Sequence, residues 1–136
     1  QGEQRLAQVM AELMARAVQP DRRIDAITFV PATLAAYRYR GYDHAQLLAE
    51  SLSCELGIEA IPLLARPKTL DQRVLGRAER VENLKGRFSV LPATRIPTNV
   101  LLVDDVFTTG ATLCGATDAL LAAGADMVGC LTFARV

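Results

Sequence analysis

Hydrophobic positions recur along much of the chain with the period of an α-helix. In residues 3–18 the apolar side chains fall three and four positions apart, at Leu6, Val9, Met10, Leu13, Met14 and Ala17. This spacing predicts an amphipathic helix that packs these residues against the core and ends before Pro20. Similar patterns predict a second helix over residues 45–56, ended by Gly57, and a third over residues 110–124, ended by Gly124.

Short apolar runs between these helices predict buried strands. The runs are "IDAITFVP", "IEAIPLLA" with Pro62 near its start, "VLLVD" and "ADMVGCLTFARV", and "RFSVL" is predicted as a further short strand. Strands that alternate with helices predict an α/β fold. We therefore expect a single domain, residues 1–136, in which a parallel β-sheet is the middle of three layers with right-handed crossovers.

Two segments show neither the helical spacing of apolar residues nor the apolar run of a buried strand. Residues 32–44, "ATLAAYRYRGYDH", are predicted to be a polar connection that carries arginines and turns at Gly41. Residues 66–88 are too long for an ordinary loop, which predicts a flexible functional flap or a disordered segment. This segment has three acidic residues and seven basic ones, and the basic residues are Arg66, Lys68, Arg73, Arg77, Arg80, Lys85 and Arg87. The alternative for this run of charge is a solvated surface.

Composition excludes several classes of protein. Fifteen basic and fifteen acidic residues give a net charge of zero, so there is no direct signature of nucleic-acid binding. No apolar run is long enough to span a bilayer and no leader opens the sequence, so the expected location is the cytoplasm. Cys54, Cys114 and Cys130 are scattered, which predicts reduced, mostly buried thiols and no metal site formed by direct Cys or His ligation.

The stretch "NVLLVDDVFTTGATL", residues 99–113, carries the candidate chemistry. Asp104 and Asp105 end an apolar strand, and ionised carboxylates suit ribose hydroxyls or a hydrated Mg²⁺. The residues that follow lead into a helix, whose N-terminal N–H groups form an anion site. Gly110 permits a positive φ and the close approach of a phosphate. The set predicts a pocket for a sugar phosphate, and the alternative is an acidic strand end followed by a threonine helix cap.

Two other motifs that resemble this stretch can be excluded. "VLLVDD" is similar to a Walker B strand, but the P-loop that must accompany it is missing around Lys68 and Lys85. An aspartyl phosphotransferase would require DxD, whereas Asp104 and Asp105 are adjacent.

"VLLVDDVFTTGAT" resembles the signature of type I phosphoribosyltransferases for phosphoribosyl pyrophosphate (PRPP). The wider layout resembles the ComF/GntX family, through "RYRGYDHAQLLAE", "LARPKTLDQRVLGRAERVENLKGRFSV" and "AGADMVGCLTFARV". The resemblance implies ribose or Mg²⁺ contacts for Asp104 and Asp105. It implies 5-phosphate contacts for Thr108, Thr109, Gly110, Ala111 and Thr112. It implies pyrophosphate contacts for Pro31, Ala32, Thr33, Leu34, Arg38 and Arg40. It implies a mobile hood over residues 66–88, in which Arg73, Arg77 and Arg80 clamp pyrophosphate or are simply solvated.

The same resemblance implies Mg²⁺-dependent transfer of a phosphoribosyl group to or from an unidentified acceptor, with no side chain acting as a nucleophile. It also implies a role in competence, in DNA uptake or the use of external DNA, with the competence machinery as a partner. The alternative is a module that senses PRPP or a nucleotide without catalysis, so enzyme status stays open.

The sequence departs from the ComF/GntX pattern in two places. A cysteine-rich, zinc-ribbon-like N-terminal segment is absent before "QGEQRL", which suggests a fragment. Residues 40–44 read Arg-Gly-Tyr-Asp-His where the family often has Arg-Gly-Phe-Asn-Gln. His44 is expected to be a helix cap or surface residue, and the alternative is an acid–base group.

Overall fold

The computed structural model describes residues 2–67, 88–107 and 110–135. The helices and strands are α1 (Gly2–Ala15), β1 (Ala26–Phe29), α2 (Leu34–Arg40), α3 (His44–Leu56), β2 (Asn99–Phe107), α4 (Ala111–Ala122) and β3 (Met127–Arg135). Within this part of the chain, no helix is long and apolar enough to cross a membrane.

The three strands form a parallel sheet in the order β1-β2-β3. The register places Phe29 of β1 beside Val103 of β2, and Asp104 of β2 beside Thr132 of β3. Both faces of a parallel sheet must be covered, and β2 has apolar side chains on each face over residues 100–103. The predicted α/β fold with a parallel sheet is confirmed.

Two hydrophobic clusters lie on opposite faces of the sheet. On one face, Leu101 and Val103 of β2 pack with residues of α1 and α3. On the other face, Val100 and Leu102 pack with residues of α4 and with residues 63–64. Because strand side chains alternate between faces, the sheet is the middle of three layers, as predicted.

The run "IEAIPLLA" does not form the regular strand that the sequence predicted. It makes one parallel bridge, Ile27 to Ala60, in which Ile61 N–H donates to Ile27 O at 2.8 Å. The Leu63 N–H then donates to the buried hydroxyl of Thr28 at 3.3 Å, so the ladder does not continue. The predicted strand "RFSVL" is likewise reduced to one antiparallel bridge, Leu64 to Val90.

The polar connection predicted over residues 32–44 contains the helix α2. Thr33 caps its N-terminus by accepting from Ala36 N–H at 3.2 Å, and Gly41 ends it with φ 81°. None of its residues is buried, which explains why it has no apolar period. The predicted turn at Gly41 is confirmed.

The predicted core face of α1 is only partly right. Met10 and Met14 are buried, but Leu6, Val9 and Leu13 are 54%, 54% and 48% exposed. The buried positions beside the two methionines are Ala7 and Ala11, where small side chains allow α1 to approach α3 closely.

The prediction of mostly buried thiols is wrong. Cys54, Cys114 and Cys130 are free and exposed. On α3 and α4 the buried positions are occupied by other residues, such as Leu52 and Leu113, so the neighbouring cysteines point outward.

Candidate functional site

A cavity of about 280 Å³ opens where β1 and β2 end. The carboxyl ends of parallel strands are the usual place for ligands in open α/β sheets. Of the residues predicted from the sequence, those that line this cavity are Pro31, Ala32, Thr33, Arg40, Asp104, Asp105 and Thr112. The fold thus brings to one cavity both predicted ribose residues, one predicted phosphate residue and four of the predicted pyrophosphate residues.

The two carboxylates at the end of β2 differ in environment. Asp104 Oδ1 accepts the backbone N–H of Asp105 at 2.9 Å. Burial of Asp104, together with its hydrogen bond to the Asp105 side chain and the negative charges of Asp105 and Asp43, raises the pKa of Asp104 to about 7. This edge of the sheet therefore favours groups that donate hydrogen bonds or carry positive charge.

The N-cap residue of α4 is Gly110, which has the left-handed conformation with φ 79°. The positive φ predicted for this glycine is confirmed. Thr112, in the first turn of α4, lines the cavity, so its hydroxyl and the positive end of the helix dipole lie beside the cavity. Ala111 is the first residue of α4. Thr108 and Thr109 lie outside the described residues, and so do Arg73, Arg77 and Arg80 of the predicted hood.

The predicted pyrophosphate residues that belong to α2 lie on different sides of this helix. Ala36 and Arg40 are one helical turn apart and both line the cavity. Leu34 and Arg38 lie on other sides of α2, are exposed, and do not line it. The structure therefore brings Arg40 to the site and leaves Leu34 and Arg38 outside it.

His44 belongs to the site, contrary to the interpretation that it is a cap or surface residue. Its Nδ1 lies 3.1 Å from Asp105 Oδ2, and its side chain is 19% exposed. The helix cap is the preceding residue, Asp43, whose Oδ1 accepts from Gln46 N–H at 3.5 Å. Because His44 and Asp105 are 61 positions apart, no local pattern in the sequence predicts this contact.

Sequence reasoning also missed Asp43 and Arg66. Asp43 lines the cavity, and its Oδ2 lies 2.9 Å from Arg66 Nη1. An aspartate immediately before an apolar helical pattern is a sign of a helix cap, and this sign was present at Asp43. The contact with Arg66 had no such sign.

The side chains of the described residues determine whether a metal ion such as Mg²⁺ could bind at this site. Within residues 2–67, 88–107 and 110–135, no group of three His, Cys, Asp or Glu side chains is arranged to hold a metal ion. Mg²⁺ commonly keeps several waters and binds one or two carboxylates together with substrate phosphates. Asp104 and Asp105 are the number and type of carboxylates that an ion bound in this way requires.

A family model described as "Phosphoribosyl transferase domain" matches residues 4–136. No curated protein sequence matches the chain.

Several solved structures share the fold. The structure of the allosteric regulatory enzyme of purine biosynthesis has a TM-score of 0.64 at 18% identity, over 93% of this chain and 25% of that chain. A hypoxanthine-guanine phosphoribosyltransferase from Bacillus anthracis has a TM-score of 0.54 at 16% identity, over 95% of this chain and 68% of its own.

Adenine phosphoribosyltransferase from Saccharomyces cerevisiae has a TM-score of 0.53 at 16% identity, over 98% of this chain and 68% of its own. The chain thus spans one quarter of the first of these structures and about two thirds of the other two. The family match covers nearly all of the sequence, and the chain belongs to the phosphoribosyl transferase domain family.

Proposed function

We propose that the chain binds PRPP with Mg²⁺ in the cavity at the ends of β1 and β2 and transfers its phosphoribosyl group to or from a nitrogen acceptor. The observation that carries this proposal is that Asp104, Asp105 and Thr112, which lies in the first turn of α4, line one cavity of about 280 Å³. Family membership supports PRPP-dependent phosphoribosyl transfer in general.

The cavity provides different chemistry for each part of PRPP. Asp104 and Asp105 accept hydrogen bonds from the ribose hydroxyls. The N-terminus of α4, with Thr112 and the preceding residues 108–111, holds the 5-phosphate. Pro31, Ala32 and Thr33, with Arg40, border the space for pyrophosphate.

The reaction needs electrostatic stabilisation more than a nucleophilic side chain. As the bond from ribose C1 to the pyrophosphate oxygen breaks and the bond to the acceptor nitrogen forms, positive charge develops on the sugar and negative charge on pyrophosphate. Asp104 and Asp105 stabilise the first charge, and the Arg40 guanidinium stabilises the second. Bound Mg²⁺ supplies further neutralisation of the pyrophosphate oxygens.

The acceptor is proposed to be a nitrogen base or amine. The hypoxanthine-guanine and adenine phosphoribosyltransferases that share the fold are named for purine bases, so purines belong in the first panel of acceptors. For the biological role, the resemblance of "RYRGYDHAQLLAE" to the ComF/GntX pattern supports a place in competence and the use of external DNA. Loss of transformation by added DNA in a strain that lacks the gene, with rescue by the parent but not by Asp105→Asn, would test that role.

A PRPP or nucleotide sensor is the second candidate function. Among the described residues, the polar side chains of the cavity other than Asp43 and His44 are assigned to ribose, 5-phosphate and pyrophosphate. Asp43 is paired with Arg66, and His44 contacts Asp105, so no group is assigned to an acceptor. A sensor would bind PRPP tightly without releasing pyrophosphate.

The test is release of pyrophosphate from PRPP with Mg²⁺, across purine bases, pyrimidine bases and simple amines. Acceptor-dependent release that is lost in Asp105→Asn supports the transferase. Binding of PRPP without release from any acceptor supports the sensor. If PRPP, ribose 5-phosphate and nucleotides all fail to bind, both functions are rejected.

A further inference from the structure

Asp43 is a buried carboxylate that the proposed chemistry does not use. Its side chain is 1% exposed, although it borders the cavity through which an anionic ligand would enter. A buried carboxylate must be compensated by hydrogen bonds or by an opposite charge. Its partners therefore indicate what it does.

Asp43 and Arg66 bind the two backbone polar groups of one residue, Ala32. Asp43 Oδ2 accepts the N–H of Ala32 at 3.0 Å, and Arg66 Nη1 donates to the Ala32 carbonyl at 3.2 Å. The pair is closed by the 2.9 Å contact between Arg66 Nη1 and Asp43 Oδ2. The two side chains thus take the place of a neighbouring strand for Ala32.

Arg66 is also fixed from the side of α2. Its guanidinium carbon lies 4.1 Å from the centre of the Tyr37 ring, a cation–π contact that restricts its rotation. Pro67, the next residue, lines the cavity. Arg66 therefore contacts α2, the cap of α3 and the loop after β1.

The position of Ala32 makes this arrangement relevant to the ligand. The ladder between β1 and β2 is extended by the bond from Val30 N–H to Val103 O at 3.0 Å, and Thr33 begins the cap of α2. Ala32 lies between Val30 and Thr33, where its carbonyl accepts from Arg66 and its N–H donates to Asp43. An anion bound at this point must therefore accept its hydrogen bonds from groups other than the Ala32 N–H.

We propose that Asp43 and Arg66 are positioning residues for the pyrophosphate side of the cavity, an inference that rests on the proposed function. They set the conformation of residues 31–33, and Arg66 neutralises Asp43 so that its charge does not repel pyrophosphate. A ligand without pyrophosphate, such as ribose 5-phosphate, does not depend on this pair.

Four variants and one control separate these roles. Arg66→Gln leaves Asp43 uncompensated beside the anion. The Ala32 N–H and the helix-cap N–H donate to different oxygens of Asp43, so Asp43→Asn keeps an acceptor for one of them, whereas Asp43→Ala keeps neither. The fourth variant combines Asp43→Asn with Arg66→Gln, and Arg16→Gln removes a positive charge from an exposed residue that does not line the cavity.

The measurement is the affinity of each protein for PRPP with Mg²⁺ and for ribose 5-phosphate, by calorimetry, with thermal unfolding to verify that each variant is folded. We expect Arg66→Gln to weaken PRPP binding about tenfold or more, and ribose 5-phosphate binding less than twofold. Asp43→Asn should bind PRPP more tightly than Asp43→Ala, and Arg16→Gln should match the parent.

The double variant provides the most specific result. The double variant removes the uncompensated charge, so it should bind PRPP more tightly than Arg66→Gln alone. Two independent losses of stability would not produce this coupling. Equal loss of both ligands in Arg66→Gln, or a double variant weaker than either single one, would overturn the inference. If Arg66→Gln does not fold, the comparison of Asp43→Asn with the parent and with the double variant decides the question. A parent that binds neither ligand would reject the proposed function itself.

Discussion

His44 Nδ1 and Asp105 Oδ2 lie 3.1 Å apart, which joins the first turn of α3 to the end of β2. The two side chains are 19% and 31% exposed, and the His44 ring also meets Tyr42 edge-on, with ring centres 6.3 Å apart. The contact orients one oxygen of a carboxylate that we assign to ribose. It therefore links the position of α3 to the geometry of the ligand site.

Removal of the His44 side chain is expected to affect the ligand more than the fold. His44→Ala leaves Asp105 without this orienting partner, and a partly exposed pair of this kind contributes roughly 0.2–1 kcal/mol. We expect a two- to fivefold loss of affinity for ribose 5-phosphate, measured by calorimetry, with a small change in melting temperature. His44→Gln, which retains a donor, is the control and should lie between the variant and the parent. Unchanged affinity in His44→Ala would show that the contact has no role in binding.

Asp105→Asn tests whether the acidic pair serves the ligand. The substitution removes a negative charge beside Asp104, so the melting temperature of the protein without ligand should stay unchanged or rise slightly. Binding of PRPP should weaken because an amide offers the ribose hydroxyls a poorer acceptor. A large fall in melting temperature without ligand would mean that the pair is structural.

The raised pKa of Asp104 predicts a dependence of stability on pH. A carboxyl whose pKa rises from 3.8 to about 7 on folding binds its proton more tightly in the folded state. Its contribution to folding is therefore most favourable below pH 4 and declines as the pH rises to about 7. Because the group is partly exposed, we expect a total effect of roughly 1–3 kcal/mol.

Asp104→Asn removes this dependence. The variant and the parent should differ little in melting temperature at pH 4, and at pH 8 the variant should melt about 3–8 °C higher. Thermal unfolding without ligand, at intervals between pH 4 and pH 8.5, measures the difference between the two proteins and cancels the other titrating groups. A difference that does not vary with pH would contradict the shift.

Thr112→Val tests the phosphate side of the cavity. A phosphate contact contributes only with ligand, and at a hundredfold excess over Kd the parent should gain about 2.7 kcal/mol of stability from ribose 5-phosphate. This gain should shrink in Thr112→Val, because the hydroxyl that lines the cavity is lost. Thr117→Val is the matched control on the same helix, since Thr117 contacts Cys130 rather than the cavity. An equal gain in both variants would place the phosphate elsewhere.

Much of the fold follows from local patterns in the sequence. The helical spacing of residues 45–56 and 110–124 predicted α3 and α4, which are present. The turn at Gly41 and the positive φ at Gly110 were predicted from the conformational freedom of glycine. The strand β2 was predicted from its unbroken apolar run, and with it the acidic side of the candidate site, although the strand continues past Asp104 and Asp105 to Phe107.

Other features depend on how distant segments pack, and these the sequence did not predict. Leu6 and Ala7 both suit a helix, but which of them is buried depends on how closely α1 approaches α3. The run after residue 58 has the pattern of a strand, yet Thr28 takes the hydrogen bond that would extend its ladder.

The site shows the same division between local and long-range determinants. Asp104 and Asp105 are adjacent in the sequence, so their pairing is visible there. The contacts of His44 with Asp105 and of Asp43 with Arg66 cross 61 and 23 positions. They exist only because α3 docks on the sheet at one register, and side chains from distant segments meet at distances that local propensity does not determine.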